Sequence, residues 1–180
     1  YSEYVANKLP DILGKLSYRP VSILDLACGE GTFALEVSGL GYDVTGVDKS
    51  PEMIRIAREK VEDADVYVEF FQGDMRKFSL PERFDLITSW FDSMNYLLEK
   101  SDFRATLENA YNLLEEGGYF VFDVNTIHGL SVQWQEEGCY VQRDDKGVFE
   151  VHRTGYDGET RIAKLNITFF VNDGETWKKY

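Results

Sequence analysis

Three aspartates stand where apolar runs stop. Asp25 closes on the run Val21-Ser22-Ile23-Leu24 and leads, through Leu26, into the glycine turn Ala27-Cys28-Gly29-Glu30-Gly31. Asp48 ends the run over residues 43–47, 17 residues beyond Gly31, and Asp74 follows Gly73 after the apolar stretch 66–71. A short apolar run halted by a tight glycine turn reads as a buried strand, and open α/β sheets bind ligands beyond the carboxyl ends of their strands, where strand order reverses. Gly29 and Gly31 remove side chains so that backbone can approach a ligand, and a helix starting near Thr32 presents unpaired N–H groups. Asp48 can accept from both hydroxyls of a ribose and Asp74 from the amino group of an adenine. The chemistry implied is recognition of a nucleoside-type ligand.

The glycine turn alone does not choose the nucleoside. Gly29-Glu30-Gly31-Thr32-Phe33-Ala34 satisfies the loose dinucleotide fingerprint, and Asp48 suits a nicotinamide cofactor's ribose equally well. An NAD-dependent oxidoreductase with a Rossmann fold is therefore one reading; a non-catalytic module binding S-adenosylmethionine (SAM) or a nucleotide is another. Asp25 favours SAM over a dinucleotide, because a carboxylate four residues before Gly29 repels a pyrophosphate and attracts an ammonium and a sulfonium. Plainer readings stand beside each aspartate: a solvated strand end at Asp25, a helix N-terminal charge at Asp48, a Gly-Asp turn at Asp74. Cys28 reads as a small buried filler rather than a nucleophile.

The elements that must position these residues follow from periodicity. Val5, Leu9, Ile12 and Leu16 are spaced for a leading helix, broken or offset near Pro10. A helix from Thr32 to about Leu40 stops at Gly41. Ser50 and Pro51 supply an N-cap and an N1 proline for a helix whose apolar face is Met53, Ile54, Ala57 and Val61. Residues 66–71, 84–90 and 119–124 read as three further strands; Ser101 caps a helix with Phe103, Leu107, Ala110 and Leu114 on one face, and Gly117-Gly118 stops it. Strands alternating with helices imply a doubly wound, mostly parallel Rossmann-like α/β sheet with helices on both faces. From Cys139 onward, residues 140–143, 148–153 and 163–171 are strand-like and separated by Asp145-Lys146-Gly147 and Asp157-Gly158 turns, an antiparallel β meander. The expected division is a binding core over 1–128 and a β insert over 129–180.

Composition narrows the partners. The net charge of −13 repels nucleic acid and anionic membrane surfaces, leaving a small-molecule substrate; a homodimer stays open. Two cysteines make neither a disulfide framework nor a zinc cluster, so no metal site is expected and a reducing cytoplasm fits. No apolar run approaches the ~20 residues of a membrane span.

The segments Leu24-Asp25-Leu26-Ala27-Cys28-Gly29-Glu30-Gly31-Thr32, Gly46-Val47-Asp48-Lys49-Ser50-Pro51-Glu52-Met53 and Gln72-Gly73-Asp74-Met75, with Trp90-Phe91-Asp92-Ser93-Met94-Asn95-Tyr96-Leu97 and Leu113-Leu114-Glu115-Glu116-Gly117-Gly118, together resemble the ordered motifs of class I SAM-dependent methyltransferases over roughly residues 21–125. The resemblance implies that Asp25 and the Ala27–Gly31 loop, with Cys28 and Gly29, hold the methionine part of SAM. Asp48 and Lys49 would take the ribose side, Met53 one adenine face, and Gly73, Asp74 and Met75 the adenine edge. Trp90 and Phe91 would line the path to the acceptor. It further implies methyl transfer to a small molecule, leaving S-adenosyl-L-homocysteine (SAH), with the β insert lying over the substrate. Tyr1 and Tyr4 are candidates to close over the cofactor, Tyr4 on the substrate side. Asp92, Asn95 and Tyr96 are candidates to orient a substrate amine or hydroxyl, although Asp92 also suits a cap and Tyr96 core packing. His128 follows the fifth strand and could act as a general base; a surface histidine is the plainer reading, and His152 reads as structural or exposed. The Asn-Pro-Pro-aromatic signature for planar amino targets is absent, since Trp90-Phe91-Asp92-Ser93 stands after the fourth strand. The family sheet ends with a sixth strand and an antiparallel seventh. Nothing after Tyr180 supplies them, so either the β meander replaces them or, the favoured reading, the sequence is C-terminally truncated.

Overall fold

A computed structural model describes residues 2–145 and 147–180. Tyr1, and Lys146 of the expected 145–147 turn, lie outside the described residues. The chain forms two compact units, one running through Val124 and the other from Asn125 to Tyr180.

The first unit opens with α1 (Ser2–Leu16), which runs unbroken through Pro10, against the expected break. Pro10 is exposed while Ala6, Leu9 and Leu13 are buried, so packing of that row outweighs the one backbone hydrogen bond a proline deletes. The buried row also corrects the expected stripe: Val5 and Ile12 are half-buried and Leu16 is exposed. Then follow β1 (Ser22–Leu26), α2 (Thr32–Gly39), β2 (Asp43–Asp48), α3 (Pro51–Glu62), β3 (Val68–Gln72), β4 (Phe84–Ser89), a 3-10 turn (Ser93–Tyr96), α4 (Lys100–Leu113) and β5 (Leu114–Phe122). As expected, Gly41 adopts φ 95° just past α2, and the Ser50 hydroxyl accepts from Met53 N at the start of α3.

The end of the unit differs from expectation. Glu99, not Ser101, caps α4, because the first turn closes on the Glu99 carbonyl through Asp102 N and Phe103 N. Gly117-Gly118 do not stop that helix. It ends at Leu113, and the two glycines fall where the β4–β5 register jumps from Phe84↔Leu114 to Leu86↔Tyr119, a bulge in which a Cβ on Gly118 would meet the Asp85 carbonyl at 2.8 Å.

The five strands are parallel, in the order β3-β2-β1-β4-β5. Strand order therefore reverses between β1 and β4. Side chains of α1, α2 and α3 (Leu9, Phe33, Val37, Ile54, Ala57) pack with Ile23, Val44 and Leu86 on one face. Ala110 and Leu113 of α4 pack with Leu24, Leu26 and Ile87 on the other. Alternation along β1 puts Ile23 and Asp25 on the same face, so the sheet that buries the core also aims a carboxylate.

The second unit begins with a π-helical turn (Gly129–Gln133) and α5 (Trp134–Glu137), neither anticipated. Four antiparallel strands follow, β6 (Cys139–Asp145), β7 (Val148–Asp157), β8 (Ile162–Asn172) and β9 (Trp177–Lys179), in sequence order. Thr154 of β7 ties the helical turn down by donating to the Trp134 carbonyl at 2.7 Å. His152 is buried, its Nδ1 3.2 Å from the Tyr140 hydroxyl and its Nε2 hydrogen-bonded to Glu150. Among the described residues, no helix is long and apolar enough to cross a membrane.

Candidate functional site

A cavity of about 520 Å³ opens in the first unit at the carboxyl ends of β1, β2, β3 and β4, a volume typical of small-molecule sites. Its floor is Asp25, 2% exposed, with one hydrogen bond from the Thr88 hydroxyl at 3.0 Å. Burial pushes the Asp25 carboxyl up to about 7, against the Thr88 bond and with a smaller push from the Asp48 charge. Asp48, at the end of β2, accepts from Gly29 N at 2.9 Å and Ser50 N at 2.8 Å, tying the glycine turn to the start of α3. Burial, with Asp25 and Asp48 nearby, pushes the Cys28 thiol far up. A thiol held protonated in this way is a filler and no nucleophile.

The structure brings together most of the expected cofactor residues. Asp25, Ala27, Cys28 and Gly29 line the cavity from β1, Asp48, Lys49 and Met53 from β2 and α3, and Gly73, Asp74 and Met75 from the turn after β3. Trp90, Phe91 and Tyr96 complete one wall. Trp90 is 8% exposed, packs on Phe33 at 5.6 Å between centroids, and its indole N–H has no partner among the described residues.

Other expected residues lie elsewhere. Gly31 is buried and does not line the cavity; a Cβ there would meet the Phe70 ring at 2.6 Å and Ala57 at 3.0 Å. Its φ of 79° and this crowding make it a packing glycine, whereas Gly29, at φ 55° with open space at its Cβ, faces the cavity. Tyr4 is 61% exposed and off the cavity. Asp92 donates its N–H to Asp123 Oδ2 at 3.0 Å and accepts from Asn95 N at 2.8 Å, and neither Asp92 nor Asn95 lines the cavity. His128 is exposed in the second unit, while every residue lining the cavity belongs to the first.

Sequence reasoning passed over Ser2, Thr32, Phe33, Arg76 and Asp102 as ligand-binding side chains and took Glu30 only as part of the Ala27–Gly31 loop; all of them line the cavity. Glu30, Thr32 and Phe33 lay inside the motif already singled out and were open to the same reading. Arg76 follows Met75 directly, but nothing in sequence joins it to Asp102. Glu30 is paired with Lys60 at 2.9 Å, and hydrogen bonding from that ammonium lowers its carboxyl. The Arg76 guanidinium likewise holds Asp74 down at about 2.

The residues present fit a nucleoside carrying a cationic amino-acid arm. A buried carboxylate lies on the floor, a second stands beside an uncrowded glycine, and Met53 and Met75 offer apolar faces; five lining carboxylates face two lining cations, Lys49 and Arg76. Among the described residues, no group of His, Cys, Asp or Glu is arranged to hold a metal ion.

Comparison with known proteins agrees with this geometry. A Geobacillus sp. (strain WCH70) protein named as a methyltransferase is 41% identical over 114 residues, 63% of this chain and 46% of that protein. The dTDP-3-amino-3,4,6-trideoxy-alpha-D-glucopyranose N,N-dimethyltransferase of Streptomyces venezuelae is 27% identical over 163 residues, 91% of this chain and 67% of that protein. The chain thus spans about half to two thirds of the length of the curated relatives it matches. The crystal structure of an S-adenosylmethionine-dependent methyltransferase from Clostridium acetobutylicum ATCC 824 superposes with a TM-score of 0.82 at 28% identity, covering 100% of this chain and 71% of that one. Residues 23–118, just over half of the chain, match the family described as Methyltransferase domain, and the chain belongs to that family.

Proposed function

We propose that this chain binds SAM in the first-unit cavity and carries out methyl transfer to a small-molecule acceptor, releasing SAH. The observation that carries the reading is the row of carboxylates, Asp25, Asp48 and Asp74, at the ends of three adjacent parallel strands around one cavity. A pyrophosphate would meet that row as an anion, whereas an ammonium and a sulfonium meet it as cations.

SAM supplies an already activated methyl group, so the protein's work is to align and to exclude water. Asp25 faces the cationic arm, with Thr88 fixing the carboxylate. Gly29 lets backbone approach, Asp48 accepts from ribose hydroxyls, and Met53 and Met75 pack against the base. Trp90 and Phe91 form the wall towards the acceptor, with Tyr96 beside them. The Streptomyces venezuelae relative is named for methylating an amino group, and an amine suits an acid-lined cavity, which attracts its protonated form. The net charge of −13 supports a small-molecule acceptor over a polynucleotide. An amine must lose its proton to react, and solvent is a sufficient acceptor for it.

Calorimetric titration with SAM, SAH and NADH tests the cofactor. The first two are expected to bind and the third not to; NADH binding without SAM binding overturns the proposal. Release of SAH in the presence of pooled small amines tests transfer, and its absence with every pool reduces the chain to a binding module.

A further inference from the structure

Strands β4 and β5 stay paired to their ends, Ser89 opposite Phe122, and Asp123 N extends the pairing by donating to the Ser89 carbonyl at 3.3 Å. Beyond that point the chain leaving β4 reverses. Phe91 and Asp92 both adopt left-handed conformations, φ 59° and φ 53°, two residues in succession with no glycine between them. Such a conformation is uncommon in any residue with a Cβ and an outlier in one as bulky as phenylalanine. Backbone strain of this kind persists only where the surroundings over-determine it.

Hydrogen bonds supply that support. The Ser93 hydroxyl donates back to the Trp90 carbonyl at 2.8 Å, and Asn95 N donates to the Asp92 carbonyl at 2.8 Å. These bonds close within the turn itself, whereas Asp123 reaches it from the neighbouring strand: the Asp92 N–H donates to Asp123 Oδ2 at 3.0 Å, a bond strengthened by the carboxylate's charge. The reversal keeps Trp90 and Met94 buried and leaves Phe91 and Tyr96 exposed on the cavity wall, with Ser93 and Leu97 beside them. Asp123 is exposed and does not line the cavity, so it acts on a ligand there only through the turn.

We propose that Asp123 is a positioning residue: it locks the strained Phe91-Asp92 turn, and the locked turn presents the Phe91 and Tyr96 rings to a cationic amine at the acceptor end of the cavity. This rests on the SAM reading above, which sets that wall towards the acceptor. Aromatic faces attract an ammonium, and a wall already held in place has little entropy to lose when the ammonium arrives. Released from Asp123, the turn relaxes towards backbone conformations that suit residues with a Cβ, and the rings leave the place the amine needs.

The probes are SAH and sinefungin, a SAM analogue in which an amine-bearing carbon replaces the methylated sulfur, so that it adds to SAH an ammonium where SAM carries its methyl group. Calorimetric titration of the parent, Asp123→Asn, Asp123→Ala and the Asp92→Gly/Asp123→Ala double variant measures both ligands, and thermal melting checks that each variant is folded. Asp123→Ala is expected to weaken sinefungin about fivefold and SAH by less than about twofold. Asp123→Asn keeps an amide oxygen for the Asp92 N–H and stays within about twofold of the parent for both. The double variant recovers part of the sinefungin loss, because glycine takes the left-handed conformation without strain; a loss caused by disrupted packing would not be recovered by a more flexible residue. With no ligand present, deuterium exchange over residues 90–97 is faster in Asp123→Ala than in the parent and in Asp123→Asn. The proposal is overturned if Asp123→Ala weakens both ligands equally or neither, if Asp123→Asn loses as much as Asp123→Ala, if the double variant recovers nothing, or if exchange over 90–97 is unchanged. Failure of the parent to bind SAH would instead overturn the SAM reading, and the exchange measurement then decides the lock by itself.

Discussion

Thr88 stands opposite Asp25 in the β1–β4 pairing, and its hydroxyl donates to Asp25 Oδ1 over 3.0 Å. This single bond is too little to offset burial, and the carboxyl is pushed up to about 7 from the ordinary 3.8. The sign of the consequence follows from where the proton is held. Between about pH 4 and 7 the folded chain keeps a proton that the unfolded chain has released, so stability falls as pH rises through this window and levels off above it. A cationic ligand prefers the carboxylate, so its affinity moves the other way. SAM binding is expected to tighten as pH rises towards 7, by at most about tenfold per unit, and to flatten above. Asp25→Asn should melt higher than the parent at pH 8, by a smaller margin at pH 5 and by almost none below about pH 4, and bind SAM weakly throughout. Equal pH slopes in parent and variant would show that some other group titrates.

Asp48 uses both of its oxygens on backbone, Gly29 N and Ser50 N, and it lines the cavity as well. Replacing it with alanine leaves two N–H groups without their acceptor, which costs about 1–3 kcal/mol of stability. It also loosens the turn that presents Gly29. Asp48→Ala is expected to melt lower than the parent and to lose affinity for adenosine itself, not only for SAM, as measured by denaturant unfolding and competitive titration. Unchanged adenosine affinity would confine Asp48 to holding the loop.

What was legible in sequence, and what was not, divides by distance along the chain. β1, β2 and the helix after Ser50-Pro51 were readable because apolar runs, stop glycines and a cap lie within a few residues of one another. The doubly wound order followed from alternation and right-handed crossovers. The rotation of α1 towards Ala6, Leu9 and Leu13 was not readable, since Val5, Ile12 and Leu16 are also at helical spacing and only the docked sheet selects between the rows. The place of Gly31 off the cavity was not readable for a related reason: a glycine's need for space there is set by Phe70, 39 residues on, and not by its own neighbours. Arg76 was passed over because Asp102, 26 residues away, is what turns a local ion pair into a clamp.

Gly46 shows the same tertiary demand at a strand interior. A Cβ there would lie 2.5 Å from Phe70 Cδ1 and 3.0 Å from Cys28 Sγ, and Phe70 is buried. Gly46→Ala is therefore expected to cost about 1–3 kcal/mol through overpacking. Adding Phe70→Leu should recover part of that loss, so that the pair is less destabilised than the sum of the singles. Urea unfolding of the four chains measures it, and strict additivity would mean that the crowding is relieved elsewhere.

Ala27 sits at φ 59° on the cavity wall, a left-handed conformation adopted here by a residue with a Cβ. That conformation costs an L-residue about 1–2 kcal/mol, while a glycine's extra unfolded-state freedom costs about 0.4–1 kcal/mol. The first term is the larger, so Ala27→Gly is expected to stabilise the chain by up to about 1 kcal/mol. Its effect on binding has the opposite sign. Ala27 is the residue between Leu26 and Cys28 that turns the end of β1 into the glycine loop, and a glycine there widens the range of loop conformations that a ligand must restrict. Thermal melting and SAH titration of the one variant read both quantities. A higher melting temperature with weaker binding supports strain held for preorganisation, whereas a lower melting temperature would mean that the Ala27 methyl contributes more by packing than its backbone loses by strain.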